Sequence, residues 1–173
     1  MKQILLGIIV FAVFFAGTAM YVGEEGTAGG IGPDSVLYTL DTAYEWLEVN
    51  VLTRSEGKKI QLKLQFMQER LDELSDLERL KTMSKDNTEK IKDRYTALAN
   101  DVTQSLTEQA KDAVDAHTKL LAEQAKGVVA KQQESLMQIL EKAPESVKDP
   151  ITSVLDVAED AYKRATDLIQ QAK

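Results

Sequence analysis

Apolar side chains after residue 33 recur at steps of three and four, the spacing of one face of a helix. Leu37, Leu40, Tyr44, Leu47 and Val51 form the first stripe, with Trp46 on its flank. This helix is predicted to open near Pro33, Asp34 and Ser35 and to end by residues 50–52. Thr53 followed by Glu56 fits a capping box. A second helix is therefore predicted over residues 54–83, on the stripe Ile60, Leu64, Met67, Leu71, Leu74, Leu77, Leu80 and Met83. Residues 84–88 are polar, with Asn87 as a cap for the next helix.

The third stripe starts with Ile91, Tyr95, Leu98, Val102 and Leu106, and continues through Ala110, Ala113, His117, Leu121, Gln124 and Val128. No proline interrupts it before Pro144, so the pattern predicts one helix of about 80 Å, with Gly127 as the one bend. The spacing from Val102 to Ala113 to Gln124 points to a straight or slightly right-handed path. Pro144 and Pro150 then punctuate a turn. A last helix carries Val147, Ile151, Leu155, Ala158, Tyr162, Ala165 and Ile169, with Asp149 as cap and Pro150 in the first turn. The expected fold is all-α: an elongated antiparallel bundle of about four helices. Its long central helix acts as a spine, with the second helix folded back on one half and the last helix on the other.

Before this region, residues 3–23 contain no charged side chain and would span about 30 Å as a helix, the thickness of a bilayer core. Lys2 precedes the segment, and Glu24 and Glu25 follow it, which orients the downstream chain away from the cytoplasm. Three readings apply. The segment is an uncleaved transmembrane anchor, a signal peptide cut after Ala19, or a buried core helix of a cytosolic protein. Its length and position favour export. The expected location is thus the cell membrane with the bulk extracytoplasmic, or secretion after cleavage. Residues 24–33 are a glycine-rich linker, and residues 34–173 form the extracytoplasmic helical domain.

Composition sharpens this picture. Only Gly57 and Gly127 follow residue 33, which itself marks helix. Aromatics make up 6% of the chain and charged residues 28%, as in amphipathic helices with narrow buried stripes. A net charge of −7 repels a phosphate backbone, so nucleic acid is not an expected partner. The absence of cysteine excludes disulfides, thiolate metal sites and cysteine nucleophiles.

The stretch from Asp34 through Ser35, Val36, Leu37, Tyr38, Thr39 and Leu40 to Asp41, with Glu69, Arg70, Leu71, Asp72 and Glu73 further on, resembles a family of exported helical proteins. This is the domain of unknown function numbered 5667. A second similar stretch runs from Leu136 to Glu145, with Lys148 and Ile151 behind it. Val36 and Thr39 stand where the family pattern has prolines, and Asp41 where it has lysine. The resemblance covers residues 33–169 and implies export and a helical architecture. It implies no catalytic residue.

Candidate chemistry is sparse. His117 is the single histidine, and one histidine does not supply a usual metal ligand set. Glu69, Asp72, Glu73 and Asp76 form an acidic side of the second helix, read either as a weak divalent-cation site or as a solvated face. Tyr38, Tyr44 and Trp46 are read either as a local core or as headgroup contacts. Ala110, Ala113 and Ala116, with His117 and Leu121, form a small-residue seam that is either helix filler or a partner-binding surface. The sequence has no phosphate-binding glycine loop, no nucleophile elbow and no strand pattern. No catalytic residue, cofactor, metal or small-molecule substrate is expected. The expected function is a non-enzymatic structural or protein-interaction module of the cell envelope, binding the membrane through its N-terminal segment and an unknown protein or a second copy through its helices. The alternative is an extracytoplasmic helical chaperone or stress-type binder.

Overall fold

The apolar stripes become five α-helices in the computed structural model, which describes residues 38–111 and 115–171. Helix α1 (Tyr38–Leu47) runs into a π-helical turn, Glu48–Leu52. Helices α2 (Glu56–Arg79), α3 (Lys85–Ala110), α4 (Ala116–Lys142) and α5 (Lys148–Gln171) follow, with a 3-10 turn at Glu145–Val147 before α5. Among the described residues every regular element is helical. Residues 3–23 and the linker lie outside them. No described helix is long and apolar enough to cross a membrane.

Helices α2 and α3 form one antiparallel hairpin, and α4 and α5 form another. The hairpins dock side by side, α2 against α4 and α3 against α5, so that α3 and α4 lie on a diagonal and touch little. The start of α2 meets the start of α4: Gln61 Nε2 donates to Gln124 Oε1 at 3.2 Å. Gly57 permits this approach, since a Cβ there would stand 3.2 Å from His117 Nε2. The shared core holds Ile60, Met67, Leu71, Leu74, Ile91, Tyr95, Val129, Leu136, Ile151 and Val154. Inside it the Tyr95 hydroxyl donates to Gln132 Oε1 at 2.9 Å, while the buried Gln132 Nε2 has no hydrogen-bond partner among the described residues.

The helix ends explain why the hairpins form. Ser55, not Thr53, caps α2, accepting from Lys58 N. Ser84, not Asn87, caps α3, and Asn87 returns the bond as its side chain accepts from Ser84 N at 2.8 Å. Between them α2 closes with Thr82 N donating to Leu77 O and Lys81 N to Glu78 O. That pairing needs a left-handed residue, and Lys81 supplies it at φ 58°. At the far end Pro150 lies in the first turn of α5, as predicted, but Asp149, the expected cap, is already inside the helix, which starts at Lys148.

The expected spine does not exist. The chain leaves helix at Lys111 and re-enters at Ala116, where Asp115 accepts from Thr118 N at 2.7 Å. The break resets the helical phase. Leu121, Ala125, Val129, Gln132 and Leu136 are buried in α4, whereas the extrapolated positions Gln124 and Val128 are exposed and half-buried. Gly127, the expected bend, sits inside unbroken α4. The physical reason is burial. One straight helix would keep the two hairpins apart, each with an open stripe. Ending α3 at Ala110 and starting α4 at Ala116 lets each hairpin cover the other, and each fully buried large apolar side chain contributes about 1.5–3 kcal/mol.

Candidate functional site

Helix α1 packs on the α2–α3 hairpin with its polar side inward. Its apolar stripe is not a core face: Leu40 is 59% exposed and Val51 57% exposed, Tyr44 and Leu47 are half-buried, and Leu37 lies outside the described residues. Trp46 and Leu52 also face out, at 59% and 60%. The residues turned inward are Tyr38, Asp41, Glu45 and Val49, with Glu45 only 3% exposed. The π-helical turn contributes to this phase. Thr53 N donates to Glu48 O at 3.0 Å across an extra residue, which turns Val49 in and carries Val51 and Leu52 outward.

Two arginines cause the inversion. Arg70 of α2 is 1% exposed, and a buried guanidinium requires partners. Its Nη2 lies 2.8 Å from Glu73 Oε1, 3.0 Å from Glu45 Oε1 and 3.6 Å from Asp41 Oδ2. Its Nη1 donates to the Tyr38 hydroxyl at 3.3 Å, and the Tyr38 ring centroid is 5.3 Å from the guanidinium carbon. Arg94 of α3 completes the lock, donating to Glu45 Oε2 at 3.0 Å and to Thr42 O at 3.2 Å. Acids of α1 thus bridge both helices of the hairpin.

The cluster is over-supplied with acid. Asp41, Glu45, Glu69 and Glu73 surround Arg70 and Arg94. Burial pushes the Glu73 carboxyl up to about 8, against the pull of Arg70. Burial likewise raises Asp41, Glu45 and Glu69. The 2.8 Å contact favours an ionised Glu73, but Oε1 is off the hydrogen-bonding direction and buried Oε2 has no hydrogen-bond partner among the described residues. Loss of water therefore outweighs the ion pair, and the proton is held more tightly than in water.

The acidic side expected on α2 divides. Asp72 is exposed and Glu69 half-buried, but Glu73 belongs to this core. No group of His, Cys, Asp and Glu among the described residues is arranged to hold a metal ion. Two cavities lie away from the cluster. One of about 10 Å³ sits among Met67, Val102, Ala125, Val129 and Ala161 and barely admits a water. The other, about 130 Å³, is a polar groove between α2 and α4 beside Asp72, Glu78, Gln138 and Lys142.

The alanine seam does not lie on one helix. Ala110 ends α3 and is half-buried, Ala116 and His117 are exposed in the first turn of α4, and Leu121 is in the core at 2% exposure. Ala113 lies outside the described residues. Sequence reasoning missed the ionic lock. The available signal was Phe66, which falls off the α2 stripe yet is buried, with Arg70 and Glu73 four and seven positions on.

Fold and site together define an all-α protein: a four-helix bundle carrying an N-terminal amphipathic helix held by buried ion pairs. The family model described as Domain of unknown function (DUF5667) matches residues 30–150, and the chain belongs to that family. No curated protein and no solved structure matches the chain.

Proposed function

We propose that this protein is a non-enzymatic contact module of the cell envelope. In this reading residues 3–23 tether it to the membrane, and the helical body stands on the outer side. The observation that carries the reading is the inverted α1, whose acids are locked against Arg70 and Arg94 while Leu40, Trp46, Val51 and Leu52 point away from the bundle. An apolar side left open on a helix marks a contact site. The bundle helices bury their stripes in one another, so the contact reading is favoured over a chaperone, which needs a sustained groove for client segments. The uncharged segment between Lys2 and Glu24 supports the location. The cluster carboxylates face guanidiniums, which suits a structural lock better than acid–base catalysis.

The test is a photo-crosslinking residue placed at Trp46 or Leu52 in growing cells, with exposed Lys163 on α5 as the control. The α1 probes are expected to capture an envelope neighbour, protein or lipid, that Lys163 does not. Equal capture at both sites, or none from α1, overturns the contact reading. Protection of residues 34–173 from protease added to spheroplasts overturns the location.

A further inference from the structure

We infer that the outward side of α1 rests on the lipid surface of the membrane that residues 3–23 enter. The inference deepens the reading above and rests on residues 3–23 being an anchor. Its first ground is charge. An acidic chain is repelled by anionic lipid, yet α1 turns Asp41 and Glu45 inward onto Arg70 and Arg94. The exposed positions of α1 and its π-helical turn are Leu40, Ala43, Trp46, Asn50, Val51 and Leu52, with Tyr44, Leu47 and Glu48 half-buried beside them. Such a surface binds by apolar insertion and needs no anionic lipid.

The second ground is side-chain type. Trp46 is an amphipathic ring, of the kind that gathers where acyl chains meet headgroups. Trp46 is the chain's only tryptophan, and it is more than half exposed.

The third ground is reach. Residues 24–37 join the end of the apolar segment to the start of α1. Even fully extended, that length of chain reaches no more than about 50 Å. The tether therefore keeps α1 close to the bilayer, at a high effective concentration of lipid surface. A second copy is a poorer occupant. Residues 38–52 form a helix about 22 Å long and about 10 Å wide, so one side offers on the order of 200 Å². A stable protein interface takes about 800 Å² from each partner. A thin apolar strip held near lipid by a covalent tether has no such requirement.

The experiment uses the full chain reconstituted into phosphatidylcholine vesicles and reads Trp46 emission. Flotation is measured first, because it reports insertion of residues 3–23 independently of α1. In floated vesicles Trp46 emission is expected to shift to the blue relative to the unfolded chain, to lose intensity when brominated phosphatidylcholine replaces part of the lipid, and to resist acrylamide. Leu40→Glu with Leu52→Glu should restore acrylamide access and abolish bromolipid quenching, with helicity unchanged. Emission that stays water-like in floated vesicles overturns the inference. So does a blue shift without bromolipid quenching, which would mean that a second copy or another protein segment covers the face. Failure to float overturns the anchor and this inference with it. Protein capture from Trp46 in cells would then still support the contact reading by itself.

Discussion

Arg70 Nη2 lies 2.8 Å from Glu73 Oε1, one turn along the same helix, with the two side chains 1% and 3% exposed. The acids around Arg70 contribute less through attraction than through the penalty for losing them, because the guanidinium without them, or Glu45 without Arg70, would be stranded away from water. Arg70 also holds Glu45 of α1, so the pair decides which side of α1 faces the bundle.

Arg70→Met should therefore lower the stability of the folded chain by about 3–5 kcal/mol, measured by denaturant unfolding. Arg70→Lys should recover only part of the loss, since an ammonium is a point charge and cannot replace a planar fork shared among Tyr38, Glu45 and Glu73. A loss below about 1 kcal/mol for Arg70→Met, the size typical of an exposed pair, would mean that the cluster is open to water.

Stability should fall as pH rises across the neutral range. Glu73 has an ordinary value of 4.5 and is pushed up to about 8 by burial, so between those values the folded chain holds more protons than the unfolded one. Its contribution is complete below pH 4.5 and is lost as pH rises through about 8. The slope is at most about 1.4 kcal/mol per pH unit. Asp41, Glu45 and Glu69 are raised too and act in the same direction. Glu78 and Asp115 are lowered by hydrogen bonds from Lys81 and Thr118 and act in the opposite direction, but only as pH falls below 4.5 and 3.8. Thermal unfolding of Glu73→Gln should show a flatter profile between pH 5 and pH 8. An equally steep profile would place the titration elsewhere.

Lys81→Gly should stabilise the α2–α3 turn. Lys81 holds φ at 58°, where a Cβ costs roughly 1–2 kcal/mol and glycine costs nothing. The substitution loses the ion pair with Glu78, whose lysine side chain is 75% exposed, so little is forfeited. A midpoint shift to higher denaturant at constant m-value is expected. A shift to lower denaturant would mean that the side chain stabilises the turn.

Gly127→Ala should raise stability by about 0.5–1 kcal/mol, since the residue lies inside α4 and a Cβ there meets nothing within 4 Å. The gain should appear as a higher melting temperature with an unchanged circular dichroism spectrum. Destabilisation would point to a bend at Gly127 that alanine disfavours.

The amino-acid sequence by itself determined the helical class and most of the bundle core. Ile60, Leu64, Met67, Leu71, Leu74, Ile91, Tyr95, Leu98, Val102, Leu106, Ile151 and Ala158 were legible from spacing and are buried. Spacing succeeds there because each helix buries one stripe whose period depends only on local geometry. It could not find that one helix ends at Ala110 and the next begins at Ala116, because a continuous helical pattern is locally acceptable and only the docking of two hairpins rewards its interruption. Asp115 and Thr118 were the local trace of that break, one capping bond among many polar residues. The orientation of α1 was decided by tertiary structure alone. Periodicity assigns the apolar side of an isolated helix to a core, but Arg70 and Arg94 face α1 from two other helices, and a buried and a half-buried cation favour the side that carries Asp41 and Glu45. Pairing a charge that cannot return to water outweighs hiding a few apolar side chains that can remain at a surface.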